Sequence, residues 1–197
     1  MHRLVAGTRL HRLHDASFPG DAFNPCRGGR QRFSPLFDAA GRCVPSLYAA
    51  TTFDAAVYET IAHGVDLRDP FRHVRREALD DRCHSELVCA GELLLAPLFR
   101  PEVEALGHAH EALFAPRVSA YADCLDIAAR LHAESPRAQG LIWSSVRDDG
   151  GFCVRLFGDR VAAGQLRLDG TRTATDAPEL VEDVRRALER SRTPLLR

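Results

Sequence analysis

The 197-residue sequence contains no lysine: all 26 of its basic residues are arginine. That absence excludes Schiff-base and lysine-nucleophile chemistry and the phosphate loop Gly-x-x-x-x-Gly-Lys. Codon bias in a GC-rich genome accounts for the skew. What remains is a cation that grips phosphate and carboxylate through a planar fork. No run approaches the ~20 apolar residues of a membrane span. No apolar leader core opens the chain either, because His2, Arg3 and Arg9 fall at its start. Cys26, Cys43, Cys83, Cys89, Cys124 and Cys153 form no Cys-x-x-Cys pair. Reduced thiols in a cytoplasmic protein are therefore expected rather than a disulfide frame. No Gly-x-Gly-x-x-Gly follows a strand, there is no Gly-x-Ser-x-Gly elbow, and the histidines lack metal-ligand spacing, so neither a metal nor a cofactor is expected. The net charge of −1 excludes a global field towards nucleic acid or anionic lipid.

With 45% hydrophobic and 27% charged residues, the chain can bury a core, and one domain spanning 1–197 is expected. Glycine and proline crowd the N-terminal third, which reads as loop around a short strand within Arg3–Leu13 and another at Pro45–Ala50. A helix is predicted from Thr52, an N-cap, to about His63, ended by Gly64. Asp66–Asp81 reads as a polar, mobile surface segment. Ser85–Cys89 and Glu92–Leu95 read as buried strands. Residues 117–133 carry a helical period with Val118, Ala122, Leu125, Ala129 and His132 on one stripe. Leu141–Arg147 and Phe152–Phe157 form a hairpin about Asp148-Asp149-Gly150-Gly151. An amphipathic helix over 178–190 closes the chain, its stripe of Leu180, Val181, Val184 and Leu188 suited to packing on the sheet. Strands without regular βαβ alternation make the class α+β with a largely antiparallel sheet.

Three segments carry candidate chemistry. In Arg27-Gly28-Gly29-Arg30-Gln31-Arg32-Phe33-Ser34-Pro35, glycines allow close backbone approach and guanidinium forks can clamp a pyrophosphate. Tyr48 precedes Glu59, which has the small Ala55 and Ala56 one turn before it and His63 one turn after it. In Gly140-Leu141-Ile142-Trp143-Ser144-Ser145-Val146-Arg147, alternation places Trp143, Ser145 and Arg147 on one face and Ser144 on the other. Taken singly, each has an ordinary explanation: a solvated loop, a surface glutamate, a serine packed on a sheet.

Their order is more specific. Arg-Phe-Ser-Pro, then Pro-x-Leu-Tyr-Ala-Ala, then a helix with Glu-Thr-Ile-x-His, then Gly-Leu-Ile-Trp-Ser-Ser-Val-Arg before a Gly-Gly turn, resembles the RES-domain family over about residues 8–160. That family is named for its arginine, glutamate and serine. The resemblance implies an ADP-ribosyltransferase-like split antiparallel β-sandwich with flanking helices. It also implies NAD⁺ degradation by cleavage of the nicotinamide–ribose bond, with water or inorganic phosphate as acceptor ahead of a protein side chain. Carried over, the family residues fall on Arg32, Tyr48, Glu59 and Ser145, with Arg30 and Ser144 as neighbours that compete for the first and last places. The chain departs from the family at Gln31, where a glycine is usual, and at Trp143, where tyrosine is common. The resemblance assigns Glu59 to the developing ribose cation, Arg32 to the pyrophosphate and Tyr48 to the nicotinamide. Ser145 is assigned to a ribose or amide group, with Arg30 and Trp143 as further substrate contacts. It further implies a toxin role, a small helical DNA-binding antitoxin as partner, and a homodimer or larger complex, with no nucleic acid bound by this chain itself. The rival readings are a non-catalytic nucleotide-binding module and, less favoured by the near-neutral charge, an arginine-rich nucleic-acid or protein-interaction domain.

Overall fold

The computed structural model describes residues 1–114 and 121–196. Its centre is an eight-stranded sheet built from β1 (His2–Leu4), β2 (Arg9–Asp15), β5 (Ser46–Ala50), β7 (Arg82–Cys89), β8 (Leu93–Pro97), β9 (Gly140–Ser144), β10 (Phe152–Phe157) and β11 (Leu166–Thr173). A small hairpin pairs β3 (Leu36–Phe37) with β4 (Cys43–Val44), and β6 (Val74–Arg75) pairs with β12 (Leu195–Leu196). The helices are α1 (Phe53–Thr60), α2 (Arg100–Ala105), α3 (His110–Phe114), α4 (Tyr121–Glu134) and α5 (Pro178–Glu189). Strand order in the large sheet is β1-β8-β9-β10-β5-β2-β7-β11, antiparallel throughout except for β8–β9. The α+β class and its largely antiparallel sheet are thus present.

The sheet is curled and locally split. β2 pairs with β7 along its whole length, yet it meets β5 through one pair, His11 with Ala50. Side-chain alternation explains how both faces are covered. On one face Tyr48, Leu141, Trp143, Cys153 and Phe157 pack under the helices; on the other, Leu47, Ile142, Val154 and Leu156 meet Leu10 and Leu87 from across the split. In α5, Leu180, Val184 and Leu188 are fully buried, each contributing about 1.5–3 kcal/mol.

Several expectations are corrected. Segment 66–81 is not merely a surface loop: it carries β6 and a 3₁₀ turn, and Val74 and Leu79 sit in the core. The strand β11 is an edge strand with no sustained apolar pattern: only Leu166 and Leu168 alternate on a core face before the irregularity at Leu168–Gly170, and the rest is polar. Helices α2 and α3 are short and went unread as well. Helix α1 ends at Thr60, ahead of His63, although Thr52 does cap it, its Oγ1 accepting from the Ala55 amide at 3.2 Å. In α4 the buried stripe is Cys124, Ile127, Ala128 and His132, while Ala122 is exposed; Val118 lies outside the described residues. The first hairpin strand stops at Ser144, so the turn spans 145–151. Cys26 and Cys43 form a disulfide, contrary to the expectation of six free thiols. Seventeen residues apart, they meet because Cys43 lies in β4 and the loop before β3 folds back over that hairpin. Cys83, Cys89, Cys124 and Cys153 are free and buried. No helix among the described residues is long and apolar enough to cross a membrane.

Candidate active site

The split between β2 and β5 opens a cleft of about 690 Å³. Arg30, Gln31 and Arg32 form one wall; Tyr48, Trp143 and Cys153 line the floor strands; Glu59 and His63 come from α1 and the turn after it, and Tyr121 from the start of α4. The cleft thus gathers residues that lie far apart in sequence.

Glu59 is held on one oxygen. Its Oε1 accepts from the Ser145 hydroxyl at 2.7 Å and from the Val146 amide at 2.9 Å. The Ser145 oxygen in turn accepts from the amides of Arg147 (3.2 Å) and Asp148 (3.1 Å). The turn is pinned by the Ser145 amide donating to Gly151 O at 2.9 Å. Gly151 is required there, since a Cβ would lie 2.5 Å from Thr52 Oγ1 and 2.6 Å from Ala55 Cβ. The turn therefore rests directly on the N-terminus of the helix that carries Glu59. Ser145 is 3% exposed and is not on the cleft wall, whereas Ser144 is exposed. Ser145 thus contacts Glu59 rather than lining the open cleft, because the chain leaves β9 at Ser144 and folds back over α1.

Arg32 is buried, at 9% exposure. Its Nη1 donates to the Leu113 carbonyl at 2.7 Å, and its guanidinium lies over the rings of Phe114 (5.4 Å) and Tyr121 (5.8 Å). Arg30 sits exposed at the rim. Tyr48 is half-buried; its hydroxyl shares a hydrogen bond with Ser34 Oγ at 2.8 Å, and its ring meets Trp143 edge-on at 6.4 Å. Trp143 packs on Phe33 at 4.9 Å, and its buried indole N–H has no partner among the described residues.

The sequence pattern gave no role to Arg155 and placed Arg147 only on a strand face. Arg155, fully buried in β10, lies opposite Tyr48 in the register and donates to Val44 O at 3.2 Å. Burial pushes the Tyr48 hydroxyl pKa up, and the Arg155 guanidinium opposes that shift. The clue available was an arginine inside the apolar strand Phe152–Phe157. Arg147 Nη1 donates to the carbonyls of Ala62 (3.0 Å) and Val65 (2.7 Å), tying the turn to the segment that follows α1. Burial lowers its pKa and the nearby Glu59 raises it. Cys153 is a buried thiol whose pKa is raised well above normal by desolvation, so nothing primes it as a nucleophile.

At the edge of the cleft, which His11 also lines, His11, His84 and Glu86 converge within metal-ligand distance of one another. Their hydrogen bonds do not suit an ion. Arg172 Nη2 lies 3.1 Å from His84 Nδ1 and can only donate to it, so His84 Nε2 carries the proton and donates to His11 Nδ1 at 3.1 Å. Glu86 is already paired with Arg9 at 2.8 Å. Desolvation, then His11 and Arg172, drives the His84 pKa down to about 3.

A model of the RES domain matches residues 8–176. The chain belongs to the RES domain family. No curated protein matches it. Among solved structures, this RES chain is similar to a chain in the crystal structure of the M.tuberculosis MbcT-MbcA toxin-antitoxin complex. The TM-score is 0.65 at 19% identity, covering 93% of this chain and 92% of the other, a likeness that establishes the fold.

Proposed function

We propose that this RES domain protein cleaves the nicotinamide–ribose bond of NAD⁺, passing ADP-ribose to water or inorganic phosphate. The observation that carries this reading is Glu59: a carboxylate on the cleft wall, with one oxygen fixed by Ser145 and the Val146 amide. That leaves Oε2 to accept from a ribose hydroxyl and to face the positive charge that develops at the anomeric carbon. Nicotinamide in NAD⁺ is already cationic, so its departure needs no general acid. Tyr48 and Trp143, which both line the cleft, supply rings for the nicotinamide. Arg32, anchored by one nitrogen to Leu113 O, serves the pyrophosphate, with Arg30 at the rim. Ser145 acts through Glu59 and is a positioning residue.

A cytoplasmic enzyme of this kind would exhaust its host's NAD⁺, so a protein that blocks the cleft belongs with it. The similar solved structure is a toxin–antitoxin complex, which supports a toxin role and an antitoxin partner for this chain. The partner is read as a small helical DNA-binding protein, and the toxin as a homodimer.

The test is nicotinamide release from NAD⁺ with and without phosphate. Glu59→Gln keeps the shape and loses the charge; turnover should fall about 10³-fold. Quenching of Trp143, the only tryptophan, reads binding separately. Binding without nicotinamide release by the parent protein would establish the non-catalytic module instead.

A further inference from the structure

The Ser145–Glu59 pair joins two elements, the 145–151 turn and α1, and a third element bridges both. Arg190, immediately after α5, places one guanidinium nitrogen, Nη1, 2.8 Å from Asp54 Oδ2 and 3.0 Å from Asp148 Oδ1. Asp54 lies in the first turn of α1, five residues before Glu59. Asp148 lies in the turn, and its amide donates to the Ser145 oxygen. The two carboxylates differ in burial: the Asp148 side chain is 2% exposed, against 34% for Asp54. Besides Arg190, the Asp148 carboxylate accepts from the Gly150 amide at 3.3 Å within its own turn. A carboxylate so buried is stable in place only while a cation compensates it; with the cation gone it must move to reach water. That movement shifts the backbone that presents Ser145 and the Val146 amide to Glu59. Arg190 lies outside the family-matched residues 8–176 and does not line the cleft.

We infer that Arg190 is a positioning residue for the site: by neutralising Asp148 and tethering it to Asp54, it holds the Ser145 turn in register with Glu59. The C-terminal helix is thereby part of the site's machinery rather than only a cover for the sheet. One nitrogen makes both contacts, so lysine can substitute where alanine cannot.

The experiment compares Arg190→Ala, Arg190→Lys and Arg186→Ala in the full chain. Arg186, 71% exposed and paired with Asp183 on the same helix, is the control. The first readout is amide hydrogen exchange. Arg190→Ala should speed exchange at Val146 and Asp148 at least about tenfold while Leu87 in β7 stays protected; Arg190→Lys should restore most of the protection and Arg186→Ala should change nothing. The second readout rests on the NAD⁺ reading: kcat should fall about 10- to 100-fold with KM within about twofold. A lower melting temperature with unchanged exchange at Val146 and Asp148 would reduce Arg190 to a stabilising contact and overturn the proposal. Absence of turnover in the parent protein would count against NAD⁺ cleavage, while the exchange arm would still decide the role of Arg190.

Discussion

Replacing Ser145 by alanine removes a single oxygen that makes three hydrogen bonds: one donated to Glu59 and two accepted from the amides of Arg147 and Asp148. A hydrogen bond to a charged partner contributes about 1.5–3 kcal/mol, and a buried amide left unpaired costs about 1–3 kcal/mol. Asp148 is buried, so its amide bears that cost, whereas Arg147 is half-buried and its amide can turn to water. The net loss should be about 3 kcal/mol. For a chain of this size that lowers the melting temperature by about 6–12 °C. Glu59, freed on Oε1 except for the Val146 amide, should lose orientation, and turnover should fall about 10²- to 10³-fold. Calorimetry and nicotinamide release on the same preparation measure both. In a double-mutant cycle with Glu59→Gln, the effects on turnover should be strongly non-additive, because the serine acts through the glutamate. Full activity in Ser145→Ala, or simple additivity in the cycle, would refute the coupling. Ser144→Ala, at an exposed position on the other side of the strand, should leave both measurements near the parent values.

Two further outcomes follow from the same geometry. Gly151→Ala drives a Cβ into Thr52 and Ala55, so it should cost about 1–3 kcal/mol in chemical denaturation and depress turnover by lifting the turn from α1. His84 is almost completely buried and holds a pKa of about 3, against 6.5 normally, so the unfolded chain binds more protons between those values. Stability present above about pH 6.5 should therefore be lost as pH falls towards 3, and His84→Gln should flatten that slope in denaturation curves taken across the window.

Local chemistry in the sequence was sufficient for several elements. Thr52 before Ala55 and Ala56 announced α1, Gly150-Gly151 announced a hairpin, and Leu180, Val184 and Leu188 announced α5, because capping and periodicity act within a few residues. Where a signal depended on partners elsewhere, it was silent or misleading. The edge strand β11 alternates only Leu166 and Leu168 before turning polar, and the polar run 66–81 hid Val74 and Leu79, which are buried only because β12 and the core come to them.

The same division runs through the site. The sequence by itself determined the order of Arg32, Tyr48, Glu59 and Ser145 and the α+β class, since these rest on residue type and short-range spacing. Only the tertiary structure decided which of Arg30 and Arg32 is buried against Phe114, and which of Ser144 and Ser145 reaches Glu59. It also decided that Cys26 meets Cys43, and that Arg190 neutralises a carboxylate 42 positions earlier. Burial and charge compensation are properties of what surrounds a side chain, and those surroundings exist only once the sheet has curled and its two halves have parted between β2 and β5.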